Sequence, residues 1–269
     1  MPELPEVETV RRTLESVIQG DEIVAVECIY SKLITSDLEA FMKNIVHQKI
    51  IRIDRMGKYL IFILTDYAMI IHLRMEGKFF IKKDEQIMKH EHVIFHLKSG
   101  KTLRYHDVRK FGTINLHPLL DYLTIYPLSE LGKEPKDLNI ESFYQAIHKK
   151  GIAIKSALLD QHIISGLGNI YVDETLFLSR IHPERPASAI TKKEAASLLD
   201  SAKKVLSKAV ELGGTTIRSY TSSLGVTGRF QNELNVHMRK GEPCPICQTP
   251  IIKLKVGGRG TYVCPKCQH

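Results

Sequence analysis

Several features are missing from this chain of 269 residues, and each absence narrows what it can be. No apolar run approaches the roughly 20 residues that a membrane-spanning helix needs, and no secretory leader opens the sequence, so no membrane partner is expected. There is no long internal repeat and no low-complexity tract, and the hydrophobic and charged fractions are those of a soluble globular protein. A chain of this length can bury a sizeable core and suits two domains. Cysteine is scarce outside one terminal cluster. Cys28, the one exception, lies in the apolar stretch from Ile23 to Ile29 and reads as a small core residue. Acidic residues run short in the second half only. Residues 1–130 balance 18 Lys+Arg against 18 Asp+Glu, so the whole net charge of +8 lies in residues 131–269. A basic half suits a polyanion such as nucleic acid, and a merely solvated basic surface fits the charge equally well.

The cysteines that are present form Cys244-Pro-Ile-Cys247 and Cys264-Pro-Lys-Cys267, with sixteen residues between the pairs. Two Cys-x-x-Cys knuckles at this spacing read as a zinc ribbon. A site closed by four thiolates leaves no position for substrate, so one structural zinc is expected. A redox or disulfide role for the two pairs is the lesser alternative. Reduced thiols with zinc suggest a cytoplasmic protein. Ile251–Lys255 and Thr261–Val263 read as two short strands. The segment 256–260 turns the chain between them and carries one cation, Arg259, at the finger's tip.

Along the chain, Val7, Val10, Leu14, Val17 and Ile18 recur at helical spacing, and Gly20 stops that helix. From about Asp21 to Leu116 short strands follow one another: 49–54, 59–64, 69–73, 78–81, 92–97 and 102–106. Repeated strands with little helix between them imply an antiparallel sandwich or barrel. Residues 117–137, with Pro118, Pro127 and Pro135, read as a linker. Beyond it two helical stretches between Ile154 and Arg180 are separated by residues 161–169, with Asn169 placed to cap the second. Such a helix–turns–helix segment can present amide N–H groups to a DNA phosphate, but taken alone it reads sooner as an ordinary helix hairpin. A capping box at Thr191–Glu194 then opens a helix whose apolar stripe runs Ala195, Leu198, Leu199, Ala202, Val205, Leu206 and Ala209.

The N-terminus Met1-Pro2-Glu3-Leu4-Pro5-Glu6 could be a helix lead-in and nothing more. It can also carry chemistry. With Met1 removed, Pro2 is a secondary amine. An α-amino group titrates near pH ~7.7–8.0, so a useful fraction is unprotonated near neutrality, whereas a lysine would need its pKa depressed by about two to three units. Attack of that amine on a sugar C1′ gives a cationic iminium, which acidifies the C2′ proton and promotes loss of the 3′ phosphate. Glu3, beside the amine, could shuttle protons to the ring oxygen.

The residues 1–9 (Met-Pro-Glu-Leu-Pro-Glu-Val-Glu-Thr) resemble the N-terminus of bacterial formamidopyrimidine-DNA glycosylase, which excises 8-oxoguanine. Gly57-Lys58-Tyr59-Leu60, His72-Leu73-Arg74-Met75-Glu76-Gly77 and Asp107-Val108-Arg109-Lys110-Phe111-Gly112 resemble it too, as do residues 168–174 and Gly258-Arg259-Gly260-Thr261. These motifs stand in family order over essentially the whole chain.

The resemblance implies an α+β protein of two domains, with an N-terminal antiparallel β-sandwich and flanking helices over residues 1–130. A helical domain with a helix-two-turns-helix motif at 131–235 and a zinc-ribbon finger at 236–269 follow. It implies a monomeric base-excision repair enzyme that acts on duplex DNA containing oxidised purines or abasic sites, with zinc as its one cofactor. Pro2 is then the nucleophile, Glu3 the proton donor for base loss, and Glu6 a supporting carboxylate. Lys58 is the proton donor for β-elimination. Arg259 grips the phosphates flanking the lesion and donates a proton in δ-elimination, a planar guanidinium matching phosphate oxygens in a fork. His72, His92, Asn169 and Tyr171 match DNA-binding positions. Met75, Arg109 and Phe111 match residues that fill the hole left by the extruded base. Taken alone, Met75 and Phe111 would read as core. Lys155 matches a position implicated in recognising the damaged purine. Thr216, Ile217, Arg218, Ser219 and Tyr220 correspond to the loop over the flipped base. One departure is His237-Met238-Arg239, where the family usually has Tyr-Gly-Arg. The nearest rival is endonuclease VIII, which acts on oxidised pyrimidines; its usual Pro-Glu-Gly-Pro-Glu differs from this chain at Leu4. A non-catalytic zinc-ribbon DNA-binding module would leave Pro2 and Glu3 without a task.

Overall fold

A computed structural model describes residues 1–83, 85–215 and 228–269. The chain divides into two compact units, one of residues 1–129 with 215–228, the other of residues 130–214 with 229–269.

The first unit opens with α1 (Leu4–Ile18), whose buried stripe is Val7, Val10, Leu14 and Ile18. Eight strands follow: β1 (Glu22–Cys28), β2 (Gln48–Met56), β3 (Tyr59–Leu64), β4 (Tyr67–His72), β5 (Lys78–Lys82), β6 (Glu91–Leu97), β7 (Thr102–His106) and β8 (Thr113–Pro118). They hydrogen-bond in the order β5-β7-β6-β1-β2-β3-β4-β8, and every pairing is antiparallel. Between β1 and β2 the ladder is only two residue pairs long, Glu22 with Lys49 and Ile23 with Gln48. The sheet folds at that short seam into two halves. Their inner faces meet in one core, where Phe62 on β3 packs on Phe79 on β5 at 5.9 Å between ring centroids.

Two features depart from the sequence reading. A helix, α2 (Leu38–Asn44), interrupts the run of strands, and the Asp37 carboxylate caps it by accepting from the Ala40 N–H at 2.7 Å. The segment read as a linker begins inside the sheet, because β8 continues through His117 and Pro118, paired with Ala68 and Tyr67. Proline is tolerated there because β8 is an edge strand.

The second unit holds α3 (Ile140–His148), α4 (Ile154–Leu159), α5 (Asn169–Leu178), α6 (Lys192–Glu211) and the hairpin β9 (Ile252–Val256) and β10 (Arg259–Val263). On α6 all seven positions of the expected stripe are buried, and the Thr191–Glu194 capping box forms. Between α4 and α5 the Gln161 side chain ties the turns: its Nε2 donates to the Leu159 and Leu167 carbonyls while its Oε1 accepts from Gly166 N–H. The cysteine ribbon shares an apolar cluster with the helices, since Phe177 of α5 packs with Val236, Cys244, Ile251 and Cys264. Its hairpin is tighter than the five-residue turn expected. Val256 pairs directly with Arg259, leaving the two-residue turn Gly257-Gly258, both with positive φ (54° and 78°). A mirror-image turn of this kind matches the twist of the flanking strands and requires residues without a Cβ penalty.

Candidate active site

In the first unit the chemistry gathers at the N-terminus of α1. Pro2, Glu3 and Glu6 are all buried there. The Glu6 carboxylate works in two directions: one oxygen accepts from the Glu3 N–H at 2.8 Å, and the other accepts from the Thr215 N–H and hydroxyl at 2.7 and 3.0 Å. It thereby ties the residue beside Pro2 to Thr215, 209 positions on in the chain. A buried carboxylate that accepts several short bonds is held rigidly, because losing any partner leaves a desolvated charge.

Lys58 sits on the two-residue turn Gly57-Lys58 between β2 and β3, where Met56 pairs with Tyr59. The turn is braced from α1. Arg55 donates from Nε to Glu8 at 3.0 Å and from Nη1 to the Gly57 carbonyl at 2.9 Å. Burial alone would raise the Glu8 carboxyl, but hydrogen bonds from Arg11, Arg12 and Arg55 outweigh it and hold the group below the usual carboxylate range.

His72, at the end of β4, is buried edge-on against Tyr59. Its Nδ1 accepts the Arg74 N–H at 2.9 Å, which leaves Nε2 to carry the proton. Burial, with the Arg74 and Lys58 cations beside it, pushes the imidazole down to about 3. His72 is therefore a neutral donor throughout the physiological range.

Two loops in this unit expose apolar side chains. Met75 lies between β4 and β5, and Val108 and Phe111 lie between β7 and β8, all more than a third exposed. The Arg109 guanidinium covers the Phe111 ring at 4.7 Å. Asp107, wholly buried, shapes this second loop: one oxygen accepts from Arg109 N–H at 3.0 Å, and the other from Phe111 and Gly112 N–H at 2.9 Å each. Gly112 is required by close approach, since a Cβ there would lie 1.7 Å from the Tyr105 hydroxyl. His92 supports the loop from below, its Nε2 being 3.0 Å from the Asp107 carbonyl.

In the second unit, Arg259 is exposed at the start of β10. The backbone around it is held by side chains from α4 and α5. Lys155 Nζ donates to Asp173 Oδ1 at 2.7 Å, to Thr261 Oγ1 at 2.8 Å and to the Gly260 carbonyl at 3.2 Å. Asn169 Nδ2 donates to the same Gly260 carbonyl at 3.0 Å.

The sulfurs of Cys244, Cys247, Cys264 and Cys267 all lie within 4.8 Å of one another, and none is disulfide-bonded. Two of the separations are 3.8 and 3.4 Å. Tetrahedral zinc with Zn–S near 2.3 Å requires sulfurs about 3.8 Å apart, so the quartet fits that ion. The Ile246 and Cys267 N–H groups point at the Cys244 and Cys264 sulfurs at 3.4 Å, as thiolate charge demands. The zinc is structural, because four protein ligands fill its coordination.

Sequence models of the formamidopyrimidine-DNA glycosylase N-terminal domain and H2TH domain match residues 1–114 and 131–221, and that of the zinc finger found in FPG and IleRS matches 241–269. The formamidopyrimidine-DNA glycosylase of Ligilactobacillus salivarius is 47% identical over 272 residues, covering 100% of this chain and 99% of the relative. That of Streptococcus pneumoniae is 48% identical over 273 residues with the same coverage. The chain belongs to the formamidopyrimidine-DNA glycosylase family. Among solved structures, Lactococcus lactis FPG in complex with a Fapy-dG-containing DNA superposes with a TM-score of 0.94 at 42% identity over 100% of both chains. MutM in complex with carbocyclic 8-oxo-G-containing DNA gives 0.93 at 43%, also over 100% of both.

Within this glycosylase several expected DNA contacts have other occupations. Lys155 is 0% exposed, its ammonium bound inside the protein, so it offers no surface to a damaged base here. Tyr171 is also wholly buried, its ring packed at a tilt on Phe230 at 5.4 Å between centroids, because it lies on an inward face of α5. His92 is buried against the loop it supports. Asn169 is the first residue of α5 and not its cap, which is Gly168; its Nδ2 donates to the Gly260 carbonyl. The loop from Thr216 to Tyr220 lies outside the described residues. Asp107, Arg55 and Asp173 were not singled out from the sequence. Their roles depend on partners brought together by folding; for Asp107 there was a local signal, an acid placed just before a turn containing Arg109 and Gly112.

Proposed function

We propose that this glycosylase excises oxidised purines, 8-oxoguanine and formamidopyrimidines, from duplex DNA and then cleaves the abasic site. The observation that carries this reading is the buried Pro2-Glu3-Glu6 cluster at the start of α1. The similar Lactococcus lactis FPG and MutM structures hold DNA containing Fapy-dG and carbocyclic 8-oxo-G, which supports the substrate class. With Met1 removed, the Pro2 nitrogen attacks C1′ and the bond to the purine breaks. Glu3 delivers a proton to the ring oxygen as the sugar opens, leaving a cationic iminium. Loss of the C2′ proton then breaks the C3′–O bond, and a second elimination releases the 5′ phosphate, leaving a one-nucleotide gap. Lys58 and Arg259 are the proton donors of these two eliminations, and Arg259 also grips backbone phosphate. Met75, Arg109 and Phe111 fill the vacated position, with Arg109 bonding the orphaned cytosine. The enzyme acts as a monomer on cytoplasmic, nucleoid DNA.

Borohydride reduction during reaction with an 8-oxoguanine duplex should trap a covalent protein–DNA adduct, and Pro2→Gly should form none. Intact mass should show Met1 absent. A wild-type protein that forms no adduct, or that prefers thymine glycol to 8-oxoguanine, would overturn this assignment.

A further inference from the structure

The buried ammonium of Lys155 has no task in the chemistry above. A lysine with 0% exposure is costly unless every proton finds an acceptor, so its partners report what it is for. One partner, Asp173 on α5, is a fixed anchor. Its Oδ1 takes the ammonium at 2.7 Å, and its Oδ2 lies 2.8 Å from His237 Nδ1 and accepts the Tyr262 N–H at 3.3 Å. The His237 ring packs on Tyr262 at 5.0 Å, so the residue that replaces the family's usual tyrosine completes the anchor. Two further partners belong to the hairpin tip. The ammonium donates to Thr261 Oγ1 at 2.8 Å, and that hydroxyl in turn donates to the Arg259 carbonyl at 3.0 Å. The ammonium also donates to the Gly260 carbonyl at 3.2 Å. A continuous chain of bonds therefore runs from α5 through Lys155 to the backbone of Arg259. The turn before Arg259 is Gly257-Gly258, the most permissive backbone available, and it cannot hold the strand's first residue by itself.

We infer that Lys155 is a positioning residue, clamped by Asp173 and His237, that holds the Arg259 backbone in place for phosphate and does not read the damaged base. The inference rests on the reading of Arg259 as a phosphate grip. It separates from base recognition on DNA that has no base. A duplex carrying a tetrahydrofuran abasic analogue offers the phosphates and nothing for a base reader to touch.

The experiment measures affinity for that duplex across a salt series. Lys155→Met should bind about tenfold or more weakly, with a log K against log salt slope flatter by about one, as for the loss of one phosphate contact. Arg259→Ala should do the same, and the double variant should be no weaker than Arg259→Ala alone, because the two changes remove one interaction. Thr261→Val keeps both buried charges and cuts only the hydroxyl relay. It should weaken binding in the same direction by a smaller factor while retaining one zinc per chain, and it carries the test if Lys155→Met folds poorly. Wild-type affinity and slope in both Lys155→Met and Thr261→Val, with excision of 8-oxoguanine lost in Lys155→Met, would overturn the inference in favour of a base reader. Fully additive losses in the double variant would also overturn it. Failure of the wild-type protein to bind the tetrahydrofuran duplex would instead sink the functional reading itself.

Discussion

His72 shows how far a single residue can be moved from its ordinary chemistry. An isolated histidine titrates near 6.5, whereas here burial and two neighbouring cations push it down to about 3. Between those values the unfolded chain binds a proton that the folded one refuses. The stability attached to a neutral His72 is therefore full above pH ~6.5 and is lost as pH falls toward 3. We predict that the unfolding free energy from urea titrations drops between pH 6.5 and 4, by up to roughly 1 kcal/mol per pH unit from this residue. His72→Gln should flatten that fall in part, because burial lowers His92, His106 and His117 in the same direction. A pH profile identical in the variant would show that His72 titrates normally. The sequence marked His72 by motif, but its protonation state depends on the Arg74 amide and on burial, which only the fold supplies.

At the scale of elements, what matters is which groups hold the turns that carry function. The 107–112 loop exposes Phe111 and Arg109 but hangs on one carboxylate that accepts three backbone N–H groups. Asp107→Ala would leave those donors without their acceptor. It should cost about 2–4 kcal/mol of stability, read from chemical denaturation. Single-turnover excision should also slow, because Phe111 and Arg109 lose their fixed presentation. Unchanged stability and rate would mean that the loop is held by other contacts. Gly112→Ala should be at least as damaging, since its Cβ meets Tyr105 inside the sheet. Strands and amphipathic helices were legible here from periodicity: α1, α6 and most of β2 to β7 stand where the pattern put them. Helix α2 was not, because seven residues are too few for a helical period to stand out among strands. Strand β8 was hidden by Pro118, which reads as a breaker until its edge position is known.

For the whole molecule, zinc is a distributed support. The cysteine cluster packs with Phe177 and Val236, and β10, the strand that leads into Cys264, begins with Arg259. Removing the metal with a chelator at neutral pH should abolish lesion-DNA binding, because structural zinc contributes folding free energy directly. The N-terminal sheet has its own core and lacks any ligand of the site, so its amide protection should persist. Full-affinity binding by zinc-free protein would show that the ribbon does not present Arg259.

The sequence by itself determined the family and the zinc ligands, since these rest on short motifs whose members are close in the chain. It also determined the periodic elements, which local patterning specifies. Tertiary structure decided what each polar group does. Lys155 and Tyr171 were read as facing DNA, yet folding turned both inward, one toward the Arg259 hairpin and the other onto Phe230. The physical reason is that burial and partner choice depend on contacts between residues up to 209 positions apart, as in Glu6 with Thr215. No local pattern encodes such pairs, and for a charged side chain they decide whether it is a ligand for substrate or a brace for one that is.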